Sequence, residues 1–241
     1  MITAHLVWLT SCTFFQQDQG SGVGVIDSDG GDPSLQVEDE LDSPEYLQAG
    51  PNPYYLNPVS ASSQDLQDFR AAQEAMRNDD WLTAEVLLKK ITLSNSLLSG
   101  AWLNLAICYE HQGLDDEALT NYLKAIEVNP KNIVAYNRLA VWYRRDGLFE
   151  QAEQQYLTAL QVWQGDADTH RNLAILYDLY LGELEQALYH YQAYQALIIQ
   201  EGQDEPRLAG WLADLERRLQ AMPQHSAATN VTPSSMPEAA E

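Results

Sequence analysis

"AWLNLAICYEHQGLDDEALTNYLKAIEVNP", residues 101–130, writes out one complete helix–turn–helix unit. Trp102, Leu105, Ala106 and Tyr109 fall three and four apart, the spacing of a single helix face. Gly113 interrupts the pattern, Ala118, Tyr122 and Ala125 resume it, and Pro130 closes it. The next stretch, "AYNRLAVWYRRDGLFEQAEQQYLTAL" (135–160), sets Tyr136, Leu139, Ala140, Tyr143, Gly147, Ala152, Tyr156 and Ala159 each 34 residues beyond its counterpart.

The period extends in both directions. Ala84, Ala118 and Ala152 are 34 residues apart, and Ala187 follows after 35. The copy "LQDFRAAQEAMRNDDWLTAEVLLKKI" (66–91) keeps Ala72 and Ala84 but has no aromatic at the matching offset of its first helix. The copy "THRNLAILYDLYLGELEQALYHYQAY" (169–194) has His170 where the aromatic belongs, and Gly182 arrives one residue late. Small residues such as Ala106 and Ala118 let two antiparallel helices approach closely, while Trp102, Tyr109 and Tyr122 fill the hollow of the neighbour. Each pair leaves an apolar face that only another pair covers, so the copies must stack.

Over residues 64–200 the pattern resembles the tetratricopeptide repeat family. The resemblance implies an all-α fold, a right-handed α-solenoid of about four helix-turn-helix repeats. A closing helix is expected from "DEPRLAGWLADLERRL" (204–219) within residues 201–221: Asp204 as its start, Pro206 in its first turn, and Leu208, Trp211, Leu212, Leu215 and Leu219 on one face. Arg217 and Arg218 near its end suit the helix dipole.

Outside this body the composition changes. Residues 13–63 carry nine acidic side chains and no Lys or Arg, and are rich in Gly, Ser, Gln and Pro. Residues 12–63 therefore read as an acidic, disordered tether spanning about 40 Å on average, and 222–241 as a disordered tail. For "PNPYYLNPV" (51–59) two readings stand side by side: docking on the first repeat through Tyr54, Tyr55 and Leu56, or unstructured chain punctuated by proline. Of the net charge of −22, the tether holds nine units and the tail two (Glu238, Glu241), leaving 11 on the repeats and cap. So acidic a chain is repelled by phosphate backbones and by anionic lipid, which argues against nucleic acid as a partner.

"MITAHLVWLTSC" (1–12) resembles the lipobox of bacterial lipoproteins: Leu9, Thr10, Ser11 and then Cys12, the lipidation site the resemblance implies, with residues 1–11 a short signal. It departs from that family in having no Lys or Arg before Cys12 and only eleven residues ahead of it. Thr13 in place of an aspartate after the cysteine implies an outer-membrane lipoprotein facing the periplasm. The alternative is a cytoplasmic protein with an ordinary N-terminus.

No catalytic, cofactor-binding or metal-binding constellation is legible. His5, His111, His170, His190 and His225 lack ligand spacing, and no phosphate-cradling glycine loop occurs. Cys108 reads as a small core residue and His170 as a satisfied core histidine, whereas His190, between Tyr189 and Tyr191, reads as outward-facing.

In tetratricopeptide proteins the first helices line a groove that holds peptides. That resemblance places Asn104, Ile107 and His111 of the second copy in the groove, with Asn137, Arg138, Val141, Arg144 and Arg145 of the third and Arg171, Asn172 and Ile175 of the fourth. Arginine forks with asparagine amides suit carboxylates, so an acidic or C-terminal peptide is the implied partner. The competing reading of Arg144 and Arg145 is a solvated face paired with Asp146 or Glu150. The tether or the tail is a further candidate occupant of the groove.

The expected function is a non-catalytic protein-interaction adaptor of the bacterial envelope that assembles or positions a larger complex. Relatives by resemblance pilot pilus secretins or scaffold cell-wall hydrolases. Alternatives are a soluble cytoplasmic chaperone or regulator and, from another class, an accessory domain of an enzyme complex or a weak hydrolase.

Overall fold

The computed structural model describes residues 45–56 and 58–222. Helices α1 (Ser63–Arg77) and α2 (Trp81–Ser94), α3 (Ser99–Gln112) and α4 (Asp115–Val128), α5 (Ile133–Arg145) and α6 (Phe149–Val162), and α7 (Ala167–Leu176) and α8 (Leu184–Gln200) form four hairpins. Each hairpin packs on the next, and α9 (Leu208–Ala221) closes the stack against α8. The described residues contain no strand, and their architecture is the all-α solenoid that the 34-residue period predicts.

The period survives as geometry. Ala72, Ala106, Ala140 and Ala174 of the first helices and Ala84, Ala118, Ala152 and Ala187 of the second helices are all fully buried. A larger side chain there would hold the two backbones apart, which explains why alanine recurs. One register further on, Leu88, Tyr122, Tyr156 and Tyr191 plug the hollow between hairpins, the first three fully buried and Tyr191 nearly so. Cys108 is likewise fully buried, and desolvation pushes its thiol up to about 12, so it is an inert packing residue.

The turns repeat as well. Gly113, Gly147 and Gly182 take left-handed backbone angles (φ 73°, 77° and 73°), and in the first hairpin Asp79 holds the same position at φ 58°. The next amide reaches back five residues: Asp80 N donates to Ala75 O, Leu114 N to Tyr109 O and Leu148 N to Tyr143 O, each at 2.9 Å. That closure ends a helix and satisfies a terminal carbonyl. In the fourth hairpin the amide of Glu183 reaches back six residues, to Tyr177 O at 3.0 Å, because Tyr177–Leu181 is a π-helix. The wider turn absorbs one residue, which accounts for the late Gly182 and for the 35-residue step to Ala187.

The two irregular copies replace the aromatic with polar pairs. In α1 the position belongs to Asp68, nearly buried, which accepts from Gln64 (2.9 Å) and pairs with Lys90 of α2 (2.7 Å). In α7 it belongs to His170, buried as expected. His190 does not face outward: it is only 7% exposed, and its Nδ1 lies 3.0 Å from the Nδ1 of His170. His170 Nε2 donates to Gln164 O at 3.0 Å, which leaves its Nδ1 to accept from the protonated Nδ1 of His190. Of the neighbours of His190, Tyr191 is buried with it while Tyr189 stays 53% exposed, so the buried face of α8 runs through His190 and Tyr191.

Both ends of the body differ from expectation in detail. The closing helix begins at Leu208 rather than Asp204, with Arg207 at its cap and Pro206 in the turn before it. Leu208 and Leu215 are buried and Trp211, Leu212 and Leu219 half-buried, the face the spacing predicted. At the other end, residues 45–56 are not an extended tether. A short 3-10 turn, Glu45–Gln48, packs on α8, and the chain then crosses the connections between hairpins before Ser62 caps α1 through a reciprocal pair with Asp65. Tyr54, half-buried, meets Gly100 at the start of α3, where Phe69 of α1 also approaches, while Tyr55 and Leu56 stay exposed. The lipobox at 1–12 and the tail from 223 lie outside the described residues.

Candidate partner-binding groove

The groove positions sit on α3, α5 and α7. Ile107, Val141 and Ile175 are half-buried and pack against the core, forming its apolar floor. Asn104 and Asn172 are half-buried on the same helices. Three other expected contacts are already engaged. His111 is stacked face to face on Trp81, with 3.8 Å between ring centroids and 4° between planes. Asn137 is buried and its amide nitrogen donates to Asp166 (3.0 Å) and Thr169 (2.5 Å), which ties α5 to the cap of α7. The orientation is fixed because an Asp166 carboxylate only accepts and Thr169 Oγ1 spends its own proton on Asp166 at 2.5 Å. Asp166, whose carboxyl burial pushes up in pKa, caps α7 by accepting from the Thr169 amide at 3.0 Å.

Arg145 is taken too. Its guanidinium contacts Glu110 at 2.9 Å, Asp115 at 2.7 Å and Asp146 at 3.5 Å. Burial opposes its charge, but the three carboxylates outweigh that and raise its pKa. Of the two readings for this residue, the acidic pairing is the one the structure shows, and Asp146 is one of the partners.

Arg138, Arg144 and Arg171 are different. The chain has 13 Lys and Arg side chains, and eight of them pair with carboxylates among the described residues. The five that do not are Arg70, Lys131, Arg138, Arg144 and Arg171, so three of the five unneutralised cations stand on α5 and α7. Arg144 Nη1 and Arg171 Nε are buried without a hydrogen-bond partner. Burial, and then the charge of Asp178, push the Tyr191 hydroxyl up to about 12 against the opposing charges of Arg171, Arg144 and Arg218. Arg138 acts in the same sense on Tyr122. The nearby carboxylates are committed elsewhere: Glu110 to Tyr122 (2.5 Å) and Arg145, Glu153 to Tyr177 (2.7 Å), and Asp178 to Arg218 (2.5 Å).

Aromatic residues that the sequence did not single out for the site frame this charge. The Arg144 guanidinium lies 5.7 Å from the ring of Tyr180, which is 46% exposed and leans on Phe149 at 5.1 Å. Tyr156, on α6, contributes a fully buried hydroxyl with no partner. Tyr180 was hidden because the π-helix shifts it off the 34-residue register. No group of three potential metal ligands occurs among the described residues, and no described helix is long and apolar enough to cross a membrane.

A stack of helical hairpins with a floor of aliphatic side chains and unneutralised arginines defines an interaction solenoid. Residues 99–132 match one sequence profile of the tetratricopeptide repeat and residues 121–154 match a second, so the chain carries tetratricopeptide repeats there and the irregular hairpins on either side continue the same fold. Similar solved structures include a structure of Pseudomonas aeruginosa pilF, with a TM-score of 0.58 and 19% identity over 65% of this chain and 69% of the other. The MamA RS-1 ArsTM double mutant aligns with a TM-score of 0.54 and 16% identity over 67% of this chain and 88% of its own. MamA 41-end from Desulfovibrio magneticus RS-1 gives 0.53 and 16% over 67% and 88%. At these identities the likeness is one of fold. No curated protein matches the chain in sequence.

Proposed function

We propose that this tetratricopeptide protein is a non-catalytic adaptor whose α5–α7 groove holds an acidic or C-terminal segment of a protein partner. The observation that carries the reading is the set of unneutralised arginines, Arg138, Arg144 and Arg171, in a chain of net charge −22. A carboxylate arriving there forms charge-assisted hydrogen bonds with guanidinium groups that no residue of the described body neutralises. Arg145 is a structural residue of the turn edge rather than a ligand.

The reading extends to location on sequence grounds alone: Cys12 is a lipid anchor that keeps the adaptor at the outer membrane, where it positions a component of pilus, secretion or cell-wall machinery. The intact mass of full-length protein from a bacterial envelope, beside Cys12→Ala, tests the anchor; acyl mass on Cys12 supports it and an unmodified Met1 start refutes it. The groove is tested by Arg138→Glu with Arg171→Glu. Binding of a fluorescent hexaglutamate peptide to the full chain should weaken at least tenfold with the helical circular dichroism unchanged, since each charged hydrogen bond contributes about 1.5–3 kcal/mol. Undiminished binding refutes the groove.

A further inference from the structure

Residues 45–56 and 58–60 are laid against the edge of the solenoid where the second helix of one hairpin connects to the first helix of the next. The path runs backwards through the repeats. Leu47 packs on the buried pair Ala193 and Leu197 of α8, against which Ala167 of α7 and Ala196 also pack. Ala49 rests against Gly165 and the carbonyl of Gly50 accepts from Trp163 Nε1 at 2.8 Å, both at the α6–α7 connection. Tyr54 then reaches Gly100 at the start of α3, and Asn95 Nδ2 donates to Ser60 O at 3.0 Å.

The receiving surface is shaped for a backbone. A Cβ on buried Gly165 would stand 2.8 Å from the Trp163 ring and 3.1 Å from Ala49, so only glycine lets the strap lie this close under the indole. At the α6–α8 end the strap offers an apolar side chain, Leu47, a carbonyl, that of Gly50, and the small Ala49 between them; no ion pair of the described residues involves the strap. Pro51 follows the accepted carbonyl and fixes its own φ where the chain bends, and an aromatic side chain beside a proline-containing segment is a recurring mode of peptide recognition. Side-chain hydrogen bonds from the body meet the strap at two carbonyls, Gly50 and Ser60, each a neutral bond of small net worth, which sets an exchangeable rather than a permanent interaction.

We propose that the edge formed by Trp163, Gly165, Ala167 and Leu197 is a peptide-binding site separate from the arginine groove. Its ligand is a Leu-Gln-Ala-Gly-Pro segment that leaves a 3-10 turn after its first two residues, which residues 47–51 supply in cis and the same residues of a second copy supply in trans. Every copy carries both halves, so reciprocal exchange preserves every contact and closes on a symmetric pair. Intramolecular occupancy competes at an effective concentration in the millimolar range, so exchange needs either crowding of copies or release of the strap.

The test uses the full chain with Leu47→Asp, which ejects the apolar anchor, and a fluorescent peptide of residues 45–56. The variant should show faster protease cleavage between 45 and 60 and should bind the peptide at least tenfold more tightly than the unaltered chain, whose strap competes. Trp163→Phe in the Leu47→Asp background should lower that affinity about tenfold, the worth of one hydrogen bond. A peptide carrying the same Leu47→Asp change should not bind, a control independent of how any protein variant folds. Arg144→Gln, a groove change, should leave peptide binding intact, so this site and the groove can fail separately. Absence of peptide binding by the released chain, or binding indifferent to both Trp163→Phe and the peptide's own Leu47→Asp, overturns the proposal.

Discussion

Tyr122 and Tyr156 occupy the same register 34 residues apart, both fully buried, and differ only in what their hydroxyls meet. Tyr122 donates to Glu110 at 2.5 Å, a charge-assisted bond, while Tyr156 O–H is buried with no partner. Replacing each by phenylalanine should therefore act in opposite directions. Tyr122→Phe loses a bond to a charged acceptor, about 1.5–3 kcal/mol, moderated because Glu110 keeps Arg145. Tyr156→Phe removes a desolvated, unsatisfied hydroxyl, a gain of about 1 kcal/mol. For a folded body of this size about 2–4 °C accompanies each kcal/mol, so the two variants should melt roughly 5–15 °C apart. Thermal melts followed by circular dichroism at 222 nm read the midpoints. The reasoning is refuted if both variants shift the same way, or if Tyr156→Phe costs as much as Tyr122→Phe.

The histidine pair gives acid sensitivity. Burial holds His170 at about 4 and His190 at about 3, the latter also by its neighbour's charge, against 6.5 when unfolded. Both folded values are depressed, so the unfolded chain takes up the protons: their contribution is whole above 6.5 and declines as pH falls from there toward 4 and then 3. At pH 5 the loss is about 2 kcal/mol per histidine, and His170→Phe with His190→Phe should flatten the melting temperature between pH 7 and 5; an equally steep profile contradicts the pairing. Asp79→Gly should stabilise by about 0.5–1 kcal/mol and Gly113→Ala destabilise by about 1 kcal/mol, since both positions are left-handed, a point thermal melts decide. Arg145→Ala should leave hexaglutamate binding unchanged and cost under about 1 kcal/mol, because its pairs are exposed; loss of binding would return it to the groove.

The repeat was legible because its cause is local and periodic. Alanines at close approaches, plugs one register on and a left-handed turn recur in the chain order that builds them, so the hairpins and their pairing follow from spacing alone. What spacing could not carry was substitution of one solution by another. Asp79 stands in for glycine, Asp68 with Lys90 for an aromatic, and a π-turn takes up the one extra residue of the fourth copy, and each is recognised only once the structure is seen. Within the groove, Arg138, Arg144 and Arg171 kept unneutralised charge, whereas Arg145, Asn137 and His111 were absorbed by Asp115, Thr169 and Trp81, neighbours that lie 30, 32 and 30 residues away in the chain. Residues 45–50 read as tether in the sequence because their composition is polar, whereas Tyr54 is already a docking candidate there; the anchors Leu47 and Gly50 act through backbone and shape that composition does not register.

The adaptor account meets its most direct test in a peptide array probed with the full chain, in which each sequence is displayed with acidic residues and with their amide counterparts, and with free and amidated C-termini. The account predicts binding confined to acidic or free-carboxylate members, weakened by salt and lost in Arg144→Gln with Arg171→Gln. Equal binding to the amide counterparts, or retention by that double variant, would contradict it.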